Sequence, residues 1–389
     1  MNMEAPGLTL SGPQALHREF AHIFGHEPTM AVRAPGRVNL IGEHTDYNEG
    51  FVLPVAINRM VMVMASPRPD RKVHLYAASF GQRTSFSLDD IGPDPVMTWS
   101  NYQRGVALVL QQAGFTLKGM DALIRGDVPI GAGLSSSAAV EVATAYAFLR
   151  LGDLDLDRVQ LALLCRRAEN EFVGVNCGIM DQLVALLGRR GHALLIDCRS
   201  LEYQLVPIPA EASIVVADTR VRRGLLDSEY NIRQQQCQEG ARLLGIKALR
   251  DISLEDFEGA QKRLPETVRR RCHHVVEENQ RVVEAATALR RGDLPKFGQL
   301  MNESHRSLRD DYEVSCHELD LLAEAAWPLE GVYGSRMTGG GFGGCTVSLV
   351  QSSMVDQFRE QVTESFKAAI GYAPEIYLCQ AADGAGEAD

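Results

Sequence analysis

The sequence predicts an α+β chain of two domains. Three observations carry this. Its 389 residues correspond to two domains at roughly 150 residues each. Hydrophobic residues make up 45% and charged residues 23%, the balance of an ordinary globular core that needs no disulfides or metals. Segments of strand length and of helix length occur in clusters rather than in regular alternation, which argues against a doubly wound parallel sheet. No internal repeat or low-complexity linker divides the chain. A boundary placed between residues 185 and 195 gives segments 1–188 and 189–389.

Residues 13–25 have the spacing of a short helix. Residues 30–66 read as strands interrupted at Gly36, between Gly42 and Gly50, and at Pro54. The run NRMVMVMASP has the near-continuous apolar character of a buried strand. VHLYAAS and RTSFSLDD read as a hairpin, NYQRGVALVLQQAG as a helix stopped by Gly114, and residues 119–128 as a strand. A helix from about Ser136 to Leu151 follows, rich in alanine and leucine. DLDRVQLALLCRRAENEF reads as a second helix with an aspartate cap, and a third, shorter one begins near Gly178. HALLIDC, YQLVPI and ASIVVADT read as strands. Residues 228–310 are charge-rich and mostly helical, with RCHHVV (271–276) expected on a solvated face. A helix near 353–370 and a strand PEIYLCQ close the chain, and the tail AADGAGEAD is expected to be mobile.

Charge and cysteine usage exclude several classes. The formal net charge is −11 and no basic stripe stands out, so nucleic acid is not expected as a partner. The first residues lack a basic start followed by an apolar block, and no apolar run approaches the ~18 residues of a membrane helix. Eight cysteines without a CxxC pair fit free thiols in a reducing compartment. The expectation is a cytoplasmic protein with no membrane partner.

Three stretches carry chemistry. PIGAGLSSSAA, Pro129 to Ala139, joins a glycine turn to a serine-rich helix start. Unpaired backbone amides and the positive end of the helix make such a place an anion site, and glycines let a ligand approach the backbone. It lacks the lysine of a Walker A loop and the third glycine of a dinucleotide fingerprint. MTGGGFGGCTVSLV, Met337 to Val350, formally contains GxGxxG at Gly339, Gly341 and Gly344. A strand follows it where the dinucleotide motif needs a helix, so it either packs against another backbone or walls a ligand. RAPGRVNLIGEHTDYNEG, residues 33–50, brings Glu43, His44 and Asp46 together. Glu43 and His44 would point apart on an extended chain, and no second histidine cluster has ligand spacing with them. Carboxylates and an imidazole match the paired donor and acceptor capacity of sugar hydroxyls. Alone, the stretch reads as a salt-bridged turn; the other motifs favour the sugar.

In this order the three stretches resemble the GHMP kinase superfamily. Within it, GRVNLIGEHTDYNEG and CGIMDQLVALLG (Cys177–Gly188) are similar to the galactokinase family's signatures, and the likeness runs from residue 33 to about 350. The resemblance implies a two-domain GHMP-kinase-like α+β fold with the active site in the interdomain cleft. It implies transfer of the γ-phosphoryl group of ATP to the anomeric hydroxyl of α-D-galactose, with D-galactose and MgATP as partners. By matching motif positions, Asp181 and Arg37 are the catalytic pair. Glu43, His44, Asp46, Gly178, Asp181 and Tyr230, the last in DSEYNIRQQQC, bind the sugar. Gly131, Ala132, Gly133, Leu134, Ser135, Ser136 and Ser137 cradle the triphosphate, Trp99 in WSNY lies near the adenine, and Ser136 and Glu169 bind Mg2+. The chain is expected to act as a monomer. The alternatives are a kinase for N-acetylgalactosamine or arabinose, and a sensor that binds galactose and ATP without transfer.

Overall fold

The computed structural model describes residues 13–222 and 226–388. The chain begins with α1 (Pro13–Phe24), then β1 (Met30–Asn39), β2 (Phe51–Val52), β3 (Pro54–Arg68), β4 (Lys72–Ala77) and β5 (Gln82–Ser87). Next come α2 (Asn101–Gln112), β6 (Gly119–Gly126), α3 (Ser136–Gly152), α4 (Arg158–Arg167) and α5 (Met180–Leu187). Three strands follow, β7 (His192–Asp197), β8 (Tyr203–Pro207) and β9 (Ala212–Asp218). A helical stretch holds α6 (Leu226–Leu244), α7 (Leu254–Ala260), α8 (Glu266–Arg290), α9 (Leu294–Asp310) and α10 (His317–Ala326). The chain ends with β10 (Val332–Thr338), β11 (Cys345–Gln351), α11 (Val355–Ile370), β12 (Glu375–Cys379) and β13 (Gly386–Glu387).

Local chemistry sets several boundaries. Asp157 accepts from the Val159 and Gln160 amides at the start of α4, and Asp293 from the Lys296 amide at the start of α9, where a side-chain oxygen satisfies an otherwise unpaired helix donor. Gly371, at φ +93°, ends α11 in the left-handed conformation, which glycine adopts without a Cβ clash.

The strands form three sheets, in the orders β13-β1-β3-β6-β4-β5, β10-β11-β9-β12 and β2-β7-β8. Among the described residues only β4 and β6 pair in parallel; the remaining pairs are antiparallel. This is the α+β, two-domain arrangement expected. Leu16 and Phe20 of α1 cover one face of the first sheet with Met62, Met64 and Leu123. Val63, Ala65 and Ala122 face the main core with Ala139, Val142 and Ala143 of α3. Each buried Leu, Phe, Met or Val among these contributes roughly 1.5–3 kcal/mol of transfer free energy. All eight cysteines are unpaired thiols. Among the described residues no helix is long and apolar enough to cross a membrane.

Two expectations are corrected. RCHHVV is not a solvated face: Arg271 is 3% exposed, and Cys272, His274 and Val275 are fully buried. The helix lies between α6 and α9, and two buried polar side chains of this stretch are paired, His274 with the Ser307 hydroxyl and Arg271 with the Asp311 carbonyl and the Glu313 carboxylate. The tail is not loose. The Ala382, Gly384, Ala385 and Ala388 amides donate to the carbonyls of Ala56, Gly188, Ala185 and Ala31, and β13 adds a strand beside β1. A Cβ at Gly384 would stand 2.3 Å from the Leu186 carbonyl, so the small residues that suggested mobility are what let the tail lie close.

The strand β1 carries a register shift between Pro35 and Arg37. Such a bulge re-aims the next side chain. Gly36 permits it, since a Cβ there would meet the Leu134 carbonyl at 2.7 Å. The Arg37 amide donates to that same carbonyl, so the bulge ties the first long strand to the loop before α3.

Candidate active site

The loop before α3 is shaped for an anion. Gly131, Gly133 and Ser135 hold φ values of +71°, +76° and +61°, so three of five successive residues are left-handed. No side chain caps α3 and no acidic residue lies in its first turn. Its first amides therefore remain available and carry the positive end of the helix dipole. Ala132 and Leu134 are buried and offer only their backbone. The second glycine loop lies directly on the first. A Cβ at Gly339 would approach the Gly133 carbonyl at 3.1 Å, and one at Gly344 the Ala132 carbonyl at 3.1 Å. It both packs backbone on backbone and walls the cavity. It leads into β11, a strand, which rules out the dinucleotide reading.

Between these loops and the start of α5 lies a cavity of about 240 Å³. On its wall the Arg37 guanidinium grips Asp181 with two parallel hydrogen bonds, Nε to Oδ1 at 2.7 Å and Nη2 to Oδ2 at 2.8 Å. Its third nitrogen donates to the Gly133 carbonyl at 2.6 Å. Ser135 donates its hydroxyl to Asp181 Oδ2. Arginine, carboxylate and the loop before α3 are thus one bonded unit. A two-point guanidinium–carboxylate contact fixes orientation as well as charge.

Glu43, His44 and Asp46 all line this cavity, with Gly178 and Tyr230. The expectation that Glu43 and His44 diverge fails because His44 is left-handed, at φ +64°, and the chain turns there instead of extending. Asp46 presses on the chain at Gly178, where a Cβ would fall 1.7 Å from its Oδ2. Burial, and then the Asp181 charge, push its carboxyl up to about 6. Glu43 accepts hydrogen bonds from Asn39 Nδ2 (2.6 Å), Arg336 Nη1 (2.7 Å), Thr338 Oγ1 (3.1 Å) and the Gly339 amide (2.8 Å). Burial raises its carboxyl against the pull of Arg336. It ties the end of β1 to the glycine loop beside the cavity. His44 Nε2 is buried without a protein partner.

Trp99 lies apart from this group. It lines a second, apolar cavity of about 190 Å³ with Phe80, Tyr102 and Val140, and Ser136 and Ser137 form its inner end. Ser137 lines both cavities, so they meet at the helix start. Glu169 stands on a short π-helical segment, Ala168–Val173, whose wide turn carries it to the cavity wall. Its Oε2 accepts from Gln182 Nε2 at 2.7 Å and Cys177 Sγ at 3.2 Å, and it also bonds the Ser137 hydroxyl. Burial raises its carboxyl. Its carboxylate and the hydroxyls of Ser136 and Ser137 are hard oxygen donors beside the anion loop, a donor set that suits a small divalent cation.

Sequence reasoning did not single out Arg336, which is fully buried and holds Glu43. It missed Glu278, whose Oε1 accepts from the Gly42 amide at 2.9 Å and the Ser304 hydroxyl at 2.5 Å. Tyr312, stacked between His44 and His274 with ring centres 4.7 Å from each, was also missed. These residues sit on α8, on β10 and after α9, far along the chain from residue 43. The pair of histidines in RCHHVV was the only local signal.

Three family models match the chain: the galactokinase galactose-binding signature over residues 18–67, the GHMP kinases N terminal domain over 101–189 and the GHMP kinases C terminal over 285–368. A galactokinase of Roseiflexus sp. (strain RS-1) is 53% identical over 376 residues, 95% of this chain and 96% of that protein. The crystal structure of Lactococcus lactis galactokinase complexed with galactose superposes with a TM-score of 0.93 at 38% identity, covering 96% of this chain and 99% of that one. Mevalonate kinase of Methanococcus jannaschii shares the fold, with a TM-score of 0.64 at 18% identity over 91% of this chain and 98% of its own.

Proposed function

The chain belongs to the galactokinase family of the GHMP kinases, and from this premise we propose how its residues divide the work of an ATP-dependent galactose kinase. It transfers the γ-phosphoryl group of ATP to galactose, giving α-D-galactose 1-phosphate and ADP. The observation that carries the assignment is the bonded unit Arg37–Asp181–Ser135, which stands between the anion loop and the cavity lined by His44, Asp46, Gly178 and Tyr230.

In this reading the sugar lies against Asp46, His44, Gly178 and Tyr230, with Glu43 shaping the wall, and its anomeric hydroxyl faces Asp181. As the new O–P bond forms and the bond to the leaving ADP breaks, the hydroxyl proton passes to Asp181. Phosphoryl transfer proceeds through a loose transition state, so alignment and charge neutralisation carry most of the catalysis. The α3 amides and the left-handed turns at Gly131, Gly133 and Ser135 take the triphosphate, and Arg37 faces the transferred group. The cavity at Trp99 takes the adenine. An ATP-dependent kinase works with a divalent cation; here Glu169 and Ser136 would hold Mg2+, which would neutralise phosphate charge. The two catalytic halves, 1–188 and 189–389, act together as a monomer.

The test is ADP release by the purified chain over galactose, N-acetylgalactosamine, arabinose and glucose. Galactose is expected to give the highest kcat/KM. Binding of galactose and ATP without ADP release would identify a sensor instead, and preference for another sugar would change the substrate.

Two further results are expected. Gly178→Ala forces a methyl into the Asp46 carboxylate and should raise the galactose KM tenfold or more, by roughly the effect of displacing one charge-assisted hydrogen bond, with the ATP KM nearly unchanged. The second follows from the carboxyl of Asp46 at about 6. Asp46 is an anion above that pH and neutral below it, so galactose affinity should fall as pH drops through 6, approaching tenfold per unit. Asp46→Asn should remove that step. The linkage to stability has the opposite sign: a carboxyl raised in the folded state takes up its proton earlier than in the unfolded chain, so its own contribution to stability grows as pH falls from 6 toward 4. Binding isotherms and melting curves at matched pH values separate the two.

A further inference from the structure

His44 is 4% exposed and lines the sugar cavity, yet its Nε2 meets no protein group. Its other nitrogen is engaged. Nδ1 lies 2.8 Å from the Tyr47 hydroxyl, that hydroxyl 2.7 Å from the Tyr312 hydroxyl, and that one 3.2 Å from Cys237 Sγ. Four side chains from the sugar-site turn, α6 and the segment after α9 thus form one continuous chain of hydrogen bonds ending at the cavity. The ring is also held in place, with Tyr312 at 4.7 Å and Tyr230 at 5.6 Å between centres. Burial lowers its basicity, and the nearby His274, Arg233 and Arg336 add to this, so the imidazole is neutral and one nitrogen must lack a proton.

The chain can run in either of two directions. If His44 Nδ1–H donates to Tyr47, then Tyr47 donates to Tyr312 and Tyr312 to the sulfur of Cys237. Nε2 is then a bare acceptor. If instead the Cys237 thiol donates to Tyr312, Tyr312 donates to Tyr47 and Tyr47 to Nδ1. Nε2 then carries the proton and is a donor without a protein acceptor. Sulfur is a weak acceptor, whereas a neutral imidazole nitrogen is a strong one. The second direction ends both outer links on the better acceptor, oxygen instead of sulfur and nitrogen instead of oxygen, and aligned hydrogen bonds in a dry interior reinforce one another. The outcome also suits the cavity. Asp46 as an anion only accepts, so an Nε2–H adds a donor that can meet a sugar hydroxyl's lone pairs.

We propose that Cys237, Tyr312 and Tyr47 are positioning residues whose ordered hydrogen bonds fix His44 as the Nε2–H tautomer, making it a donor to one hydroxyl oxygen of the bound sugar. The inference rests on the galactose reading of this cavity and adds which partner the site demands: a position that can accept a hydrogen bond, whether or not it can donate one.

Two measurements on the full-length protein test it. Ring-nitrogen NMR of the unliganded, 15N-histidine-labelled enzyme should show His44 protonated at Nε2, and Tyr47→Phe should release that preference. Steady-state kinetics should then compare each monodeoxy galactose with the matching monodeoxyfluoro galactose, since fluorine accepts but cannot donate. At one position the fluoro sugar should keep an affinity well above that of the deoxy sugar. Tyr47→Phe and Tyr312→Phe should each raise the galactose KM roughly fivefold, the size of one ordinary hydrogen bond. They should leave kcat and the ATP KM unchanged and erase the fluoro–deoxy difference at that position. A wild-type His44 protonated at Nδ1, or fluoro sugars no better than deoxy sugars at every position, overturns the proposal. An Nε2–H ring in a chain that turns over no galactose would support the ordered chain and overturn the sugar reading instead.

Discussion

Asp181→Ala is expected to lower kcat for galactose by about three orders of magnitude while the ATP KM moves less than about threefold. The asymmetry follows from where the carboxylate sits. It is bonded by Arg37 through two nitrogens and by the Ser135 hydroxyl, on the cavity wall that the acceptor hydroxyl faces. In the proposed reading, nucleotide binding draws on the α3 start, the glycine loops and the cavity at Trp99 instead. Asp181→Asn keeps the shape and separates proton acceptance from positioning. If the asparagine variant loses as much turnover as the alanine variant, the carboxylate acts by taking the proton; if it retains much of it, Asp181 chiefly orients the hydroxyl. Rapid-quench measurement of the first turnover checks that the loss lies in chemistry and not in product release. Near-normal turnover in the alanine variant would remove Asp181 from the mechanism.

Arg37→Ala is expected to lower kcat by roughly a hundred- to a thousandfold, because one preorganised cation aimed at developing charge contributes on that scale. It loses two functions at once: the clamp on Asp181 and the positive charge beside the loop proposed to bind phosphate, where Nη1 now binds the Gly133 carbonyl. Arg37→Lys should recover only part of the rate, since an ammonium supplies charge but not the planar fork. The double variant Arg37→Ala, Asp181→Ala should be little slower than Asp181→Ala alone, as expected for groups that act as a unit. Additive losses would show that the two residues work separately and that the bonded pair is only a resting arrangement.

The candidate site was legible in the chain to differing depths. RAPGRVNLIGEHTDYNEG could be read because Glu43, His44 and Asp46 lie within one turn, and the turn itself brings them to one cavity. PIGAGLSSSAA could be read because an anion site at a helix start is built from consecutive amides. The supporting groups could not be read in this way. Glu43 is held by Arg336 and Thr338, and the Gly42 amide by Glu278. Each of these contacts spans more than 200 residues, and a lone buried arginine or glutamate leaves no local pattern. RCHHVV was misjudged for the same reason: a helix rich in charge looks solvated until its partners on neighbouring helices are known.

Residue order alone was enough for the α+β class, the helix and strand spans and the identity of the chemistry-bearing stretches, because periodicity, caps and glycine turns act over a few neighbours. Only the folded chain decided that Asp181 bonds Arg37, that the tail lies along β1 instead of in solvent, and that His44 Nε2 is buried beside the cavity without a protein partner. Those outcomes depend on burial, on left-handed backbone and on hydrogen bonds between distant segments. Their free energies exist only once packing has excluded water from the groups concerned.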